Sequence, residues 1–78
     1  MLLSYYNPDP TIPAREKLDR ARDRYFLASG GIATVCYTSP LDAHDLITQE
    51  PVDLPVTVKV DRWTARGLFY VGREGWLE

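Results

Sequence analysis

The clearest alternation of apolar and polar side chains lies within residues 55–72. In the run VTVKVD at residues 56–61, every second side chain is a valine, which is the period of a half-buried β-strand. The run LFYV at residues 68–71 is rich in residues that favour strands. Residues 64–67 lie between the two runs and end in Gly67, which can adopt the left-handed conformation that hairpin loops often need. The pattern predicts a β-hairpin.

Residues 13–29 have the period of an amphipathic helix. Pro13 suits the first turn, Thr11 is the predicted N-cap, and Gly30 with Gly31 ends the helix. The apolar side chains that recur at helical spacing form one narrow stripe, which we expect to pack against a sheet: Ala14, Leu18, Ala21, Tyr25 and Ala28.

Three shorter elements complete the predicted order. Residues 2–6 are apolar and aromatic, as in a short edge strand, and the sequence leaves open whether this strand pairs within its own chain or with another. Residues 31–38 are almost all apolar or β-branched, which favours a central strand covered on both faces. Ser39 as an N-cap before Pro40 predicts a helix of about two turns through Thr48.

Together these elements predict an α+β fold in the order β-α-β-α-β-β. We expect a small, mainly antiparallel sheet of three or four strands, with one long helix packed on one face and a short second helix. A chain of 78 residues forms a single small domain, here residues 1–78. In the first strand, alternation places Leu3 and Tyr5 on one face of this sheet.

Composition narrows the class of protein. Apolar residues make up 45% of the chain, which is too many for a disordered protein, and the net charge of −2 gives no support to nucleic-acid or membrane-surface binding. One cysteine excludes an intrachain disulfide, and a single histidine leaves too few ligands for a structural zinc site. No apolar run approaches the length of a membrane span. We expect a cytoplasmic protein that does not bind membranes.

The sequence contains no convincing catalytic or metal-binding set. Cys36 and His44 are the only candidate nucleophile and base, and Cys36 lies in the predicted buried strand, where a thiol behaves as a small apolar group. Asp42 and Asp45 flank His44, but acids in the first turn of a helix are explained by the helix dipole. We therefore expect a protein that is not an enzyme, with no cofactor and no metal.

Large apolar side chains exceed what one helix stripe and one sheet face require. Aromatic residues are enriched at protein interfaces, and a chain this small gains stability from additional buried area. We therefore predict a non-catalytic protein–protein interaction or assembly module that self-associates, with an accessory or regulatory role. The alternative is a monomer in which the same side chains close the core. The predicted contact residues are Phe26, Leu27, Trp63, Phe69, Tyr70 and Trp76.

A second functional hypothesis comes from arginines interleaved with aromatic residues near the C-terminal end of the sequence. This composition suits stacking on single-stranded bases beside phosphate contacts, so the alternative function is a single-stranded nucleic-acid-binding protein that uses the predicted hairpin. Nearby acids such as Asp61 and Glu74 offset the positive charge, and this hypothesis is not the favoured one. The residues it assigns are Arg62, Trp63, Arg66 and Arg73.

Overall fold

Four strands form one mixed sheet in the computed structural model, which describes residues 2–48 and 53–74. The elements are β1 Leu2–Tyr6, α1 Ala14–Ser29, β2 Val35–Thr38, α2 Pro40–Thr48, β3 Thr57–Val60 and β4 Leu68–Gly72. The strands lie side by side in the order β1-β4-β2-β3. The two helices, α1 and α2, follow β1 and β2 along the chain and pack against the sheet.

The predicted α+β class is confirmed, with a mostly antiparallel sheet. β4 pairs antiparallel with both β1 and β2, whereas β2 and β3 are parallel. A parallel pair needs a crossover connection, and α2 provides it. The described helices include none that is long and apolar enough to cross a lipid bilayer.

The predicted β-hairpin is wrong, because β2 lies between β3 and β4. Each end of β3 is hydrogen-bonded to the β2 segment: the Thr57 amide donates to the Thr34 carbonyl at 2.9 Å, and the Asp61 amide donates to the Thr38 carbonyl at 2.9 Å. Residues 61–67 then pass the end of β2 before β4 begins. The valine alternation indicates which face of a strand is buried, but it carries no information about the neighbouring strand.

The first strand pairs within its own chain. Leu3 lies opposite Val71 and Tyr5 lies opposite Phe69 in β4, which settles the pairing that the sequence left open. Tyr5 is buried in the core and Leu3 packs against this core, so the two residues share one face, as the alternation in this strand predicted. β1 is therefore an edge strand whose inner face contributes to the core.

The core lies between the helices and one face of the sheet. Four members of the predicted stripe of α1 are buried, whereas Ala28 is exposed. Residues 26–29, the last turn of α1, are all exposed, so this turn does not contribute to the core. The sheet contributes the buried side chains of Tyr5, Cys36, Phe69 and Val71.

The helix ends were predicted in part. Pro13, not Thr11, is the N-cap of α1 and makes no side-chain capping bond, while the Thr11 amide and hydroxyl both donate to Asp9 Oδ1, at 2.9 and 2.8 Å. Thr11 therefore stabilises the turn before the helix. Gly30 ends α1 with φ of 74°, and its amide donates to the Phe26 carbonyl at 2.8 Å. The predicted cap of α2 is confirmed, because Ser39 Oγ accepts the Asp42 amide at 3.1 Å.

Candidate functional site

The face of the sheet away from the core carries a row of polar and aromatic side chains across all four strands. Tyr37 in β2 lies directly opposite Tyr70 in β4. Ser4 flanks Tyr70 on the β1 side, and Lys59 flanks Tyr37 on the β3 side. Side chains alternate along a strand, so the burial of neighbouring residues such as Phe69 fixes this row on the opposite face. We call this surface the open sheet face.

A cavity of about 400 Å³ lies over this row. Its volume falls within the ~300–1,000 Å³ that is typical of ligand sites, and most of its lining is apolar or aromatic. Trp63, which is 88% exposed, is the most exposed large hydrophobic side chain among the described residues and forms part of the wall. The lining residues are Leu2, Tyr37, Asp61, Trp63, Thr64, Leu68 and Tyr70.

A short turn after β3 holds Trp63 at the edge of this cavity. Asp61 Oδ1 accepts the Trp63 amide at 3.0 Å, and the Asp61 carbonyl accepts the Thr64 amide at 3.1 Å. Aspartate commonly stabilises turns in this way, through its side chain and the backbone two residues later. The indole is thus placed on the open sheet face by a defined turn of the backbone.

The structure separates the residues of the predicted contact surface. Trp63 and Tyr70 come together at the open sheet face. Phe26 and Leu27 are exposed on α1, by 53% and 82%, and Phe26 lines a different cavity. Phe69 is fully buried in the core, because strand alternation turns it away from Tyr70, so it is not available for contact. The sixth predicted residue, Trp76, lies outside the described residues.

The arginines of the nucleic-acid hypothesis do not form one stripe. Arg66 points to α2, where its Nη2 lies 3.3 Å from Asp45 Oδ2 and its Nε lies 4.0 Å from Asp42 Oδ1. Arg62 is exposed beside Trp63. Arg73 follows β4 and packs near Gly31. Two carboxylates thus offset the charge of Arg66, and the hairpin assumed by this hypothesis does not form.

Sequence reasoning missed Tyr37, Leu2 and Leu68 as lining residues of the open sheet face. Tyr37 lies in a run that is almost all apolar or β-branched, so the pattern along β2 does not indicate which face of the strand is open. The available signal was the neighbouring strand: once β2 and β4 are paired, Tyr37 and Tyr70 must share one face.

The candidate catalytic groups do not form a reactive set. Cys36 is fully buried, and burial, followed by the negative charge of Asp42, raises the pKa of its thiol to about 12. A reactive cysteine needs the opposite, an exposed and electropositive setting. His44 is exposed on α2. Within the described ranges, no group of three or more His, Cys, Asp or Glu side chains is arranged to hold a metal ion.

Asp42 has a structural role that the sequence did not predict. Its side chain is almost fully buried, and Oδ2 accepts the Gly67 amide at 2.7 Å and the Ser39 hydroxyl at 2.9 Å. Asp42 and Asp45 converge, as their spacing on the helix allows, and they do so on Arg66. These contacts join α2 to the loop that precedes β4.

Comparison with protein-family models, with curated proteins and with solved structures finds no match to this chain.

Proposed function

We propose that this protein is a non-catalytic interaction module that self-associates through the open sheet face and serves an accessory or regulatory role. The observation that carries the proposal is the cluster of Tyr37, Tyr70 and the exposed Trp63 on a sheet face that lies opposite the helix-packed core. Tyrosine and tryptophan supply much of the binding energy at protein interfaces, because they combine large apolar area with a polar atom.

The charges on the open sheet face favour a second copy of the same chain as the partner. Lys59 and Asp61 lie two residues apart along the β3 segment, so they share this face. Consider a two-fold axis that is perpendicular to the strands and passes between Lys59 and Asp61. This axis brings Lys59 of each copy opposite Asp61 of the other copy. Such a surface is self-complementary, as a symmetric dimer interface requires.

The expected affinity is modest. A buried aromatic side chain removes ~150–250 Å² from water, a gross gain of about 4–6 kcal/mol at 25 cal/mol per Å². A symmetric dimer buries two copies of Trp63, a gross gain of about 8–12 kcal/mol. Association costs about 4–15 kcal/mol in lost freedom of motion, so the two indoles leave little or no surplus and the tyrosine row must contribute. We expect a dissociation constant on the order of 1 μM or weaker.

Molar mass in solution tests the proposal. Size-exclusion chromatography with light scattering, over protein concentrations from ~1 μM to ~1 mM, covers the range of weak association. The wild-type chain should shift from monomer to dimer within this range. A strict monomer at every concentration contradicts self-association.

Two matched variants locate the surface. Trp63→Arg and Leu27→Arg both replace a large exposed side chain, of 88% and 82% exposure, with a charged one. Trp63 lies on the open sheet face and Leu27 on α1, so only Trp63→Arg should give a monomer. Loss of the dimer in Leu27→Arg alone would move the interface to the helix layer.

Single-stranded nucleic acid is the second candidate partner. The observation that favours it is the Tyr37–Tyr70 pair beside Lys59, because bases stack on adjacent aromatic side chains of an open sheet. A labelled oligothymidine should then bind at low salt, with an affinity that decreases as the salt concentration rises. At the same salt concentration, Tyr70→Ala should bind more weakly than the wild type. No binding at low salt excludes this function.

A further inference from the structure

The cavity on the open sheet face has two polar side chains in a lining that is otherwise apolar or aromatic. Five of its seven described lining residues are leucine, tyrosine or tryptophan, and the other two are Asp61 and Thr64. Both belong to the turn after β3 that places Trp63. This turn therefore gives the cavity one polar side, and the partners of its two side chains indicate what the cavity can bind.

The side-chain hydroxyl of Thr64 lacks a hydrogen-bond partner. The residue is only 8% exposed, and its Oγ1 is buried without a hydrogen bond to any atom of residues 2–48 and 53–74. A buried hydroxyl is costly when its hydrogen bond is not made. Because Thr64 lines the cavity, a molecule that enters the cavity can supply the missing bond.

Asp61 is the one described residue of this lining that carries a formal charge. Its Oδ1 accepts the Trp63 amide at 3.0 Å, and its Oδ2 has no hydrogen-bond partner in the described part of the chain. The basic residues near it in the sequence do not pair with it. Arg66 contacts two carboxylates of α2, and neither Lys59 nor Arg62 forms an ion pair with a described residue. The lining therefore favours a positively charged ligand.

A protonated amine matches both polar groups. An ammonium group has three N–H donors and no acceptor, so it can donate to Asp61 Oδ2 and to Thr64 Oγ1 together. The rings of Tyr37, Tyr70 and Trp63 offer surface for an apolar body and attract positive charge through their faces. An anion is repelled by Asp61, and a purely apolar molecule leaves the Thr64 hydroxyl without a partner.

We propose that the cavity on the open sheet face binds a small organic amine in its protonated form, with the ammonium between Asp61 and Thr64 and the apolar body against Tyr37 and Tyr70. The proposal does not rest on self-association. In the proposed dimer, however, Lys59 of the second copy faces the same carboxylate, so ligand binding is measured at a protein concentration at which light scattering shows a monomer. Absence of ligand binding there leaves the molar-mass test of the dimer unaffected.

Three probes that share one aromatic ring test the chemistry of the ligand. Benzylamine carries an ammonium with N–H donors, benzyl alcohol is neutral, and benzyltrimethylammonium keeps the charge without an N–H donor. Titration of the full chain, followed by tryptophan fluorescence, should show benzylamine binding at least about tenfold more tightly than the other two, because charge-assisted hydrogen bonds contribute that factor. Equal or tighter binding of either other probe, or no detectable binding of benzylamine, would overturn the proposal.

Thr64→Val separates a role in ligand binding from a role in the fold. Valine has nearly the shape of threonine but no hydroxyl, so benzylamine affinity should fall about tenfold. The free energy of unfolding should stay the same or rise, because the hydroxyl that is removed has no partner in the free protein. A lower free energy of unfolding with unchanged benzylamine affinity would show that the hydroxyl serves the fold and would overturn the proposal.

A second pair of variants tests the charge. Asp61→Asn keeps an oxygen that can accept the Trp63 amide and removes the negative charge, so benzylamine affinity should fall about tenfold. Asp23→Asn is the matched control, because Asp23 is exposed on α1 and lines a different cavity, and it should bind benzylamine like the wild type. Unchanged affinity in Asp61→Asn, or an equal loss in Asp23→Asn, contradicts the proposal.

Discussion

Asp42 accepts a 2.7 Å hydrogen bond from the backbone amide of Gly67, a residue 25 positions later in the chain. The same oxygen accepts the Ser39 hydroxyl, and Ser39 Oγ in turn accepts the Asp42 amide. One buried carboxylate therefore holds the Ser39 side chain that caps α2 and fixes the loop that leads into β4. This contact links α2, which connects β2 to β3 along the chain, to the loop before β4. In the sheet, β4 lies on the side of β2 that faces away from β3.

Removal of this carboxylate should destabilise the protein substantially. In Asp42→Ala the Gly67 amide loses a buried acceptor and the Ser39 hydroxyl loses its partner, which costs about 2–4 kcal/mol. Urea denaturation should report a lower free energy of unfolding. Asp45→Ala is the control, because its contact with Arg66 is between partly exposed groups and is worth about 0–1 kcal/mol. Equal losses in the two variants would show that the Gly67 contact is unimportant.

Gly67 should tolerate no side chain. Its φ is +87°, and an added Cβ would lie 2.6 Å from the backbone oxygen of Asn7. Gly30 offers a matched comparison, since its φ is +74° but no atom lies within 4 Å of an added Cβ. Gly30→Ala should cost about 1–2 kcal/mol from the left-handed conformation alone, and Gly67→Ala should cost clearly more because the backbone must also move. Thermal melts of both variants measure the difference, and the reverse order would contradict this account of the turn.

Adjacent residues in β4 should respond differently to truncation. Phe69 is fully buried, so Phe69→Ala should lower the free energy of unfolding by about 3–5 kcal/mol. Tyr70 is half-buried on the open sheet face, so Tyr70→Ala should cost less stability and should weaken self-association. Urea denaturation and light scattering separate the two effects. A dimer that survives Tyr70→Ala unchanged would remove Tyr70 from the interface.

Cys36 should be unreactive in the folded protein. Burial raises the pKa of its thiol to about 12 from an ordinary value of 9.0, so the folded state keeps the proton to higher pH than the unfolded state does. The contribution to stability is therefore complete below about pH 9 and is lost as the pH rises from about 9 to about 12. Labelling with a thiol reagent at pH 8 should be slow in native buffer and fast in urea. Rapid labelling of the native protein would contradict the burial of Cys36.

Reversal of the charge at Lys59 should weaken the proposed dimer. In Lys59→Glu each copy places a carboxylate opposite Asp61 of the other, so attraction becomes repulsion. Light scattering should show dimer formation only at higher protein concentration, and added salt should reduce the difference from wild type by screening. An unchanged or stronger dimer would exclude the proposed two-fold arrangement.

Local features of the fold could be predicted because local chemistry determines them. Ser39 before Pro40 marks the start of α2, since a serine side chain satisfies a free amide in the first turn. The alternation in β1 places Leu3 and Tyr5 on one face, because successive side chains point to opposite faces, and this shared face is the one that joins the core. Each of these inferences depends on only a few adjacent residues.

The order of the strands could not be predicted in the same way. Val58 pairs with Cys36 in β2, which lies 22 positions earlier in the chain. A valine alternation next to a glycine-containing loop looks the same whether its partner is the following strand or an earlier one. The choice is made by α2, which provides the crossover that places β3 parallel to β2.

The residues of the candidate site were likewise predicted only in part. Trp63 and Tyr70 were predicted as surface aromatic residues, and the structure brings them together. Phe69 was wrongly grouped with them, although alternation along one strand was sufficient to separate it from Tyr70. Tyr37 was missed because its neighbour on the open sheet face belongs to a strand that begins 31 residues later.

The position of β4 in the middle of the sheet has a consequence for biosynthesis. β1 is made first, but its described strand partner is β4, which is made after every other described strand and helix. β2 also depends on β4 along one edge. Until residues 68–72 leave the ribosome, β1 has no strand to pair with, and the apolar side chains of Leu3 and Tyr5 have no sheet to join. We therefore expect the nascent chain to remain without its native sheet until β4 has been made and then to fold in one step.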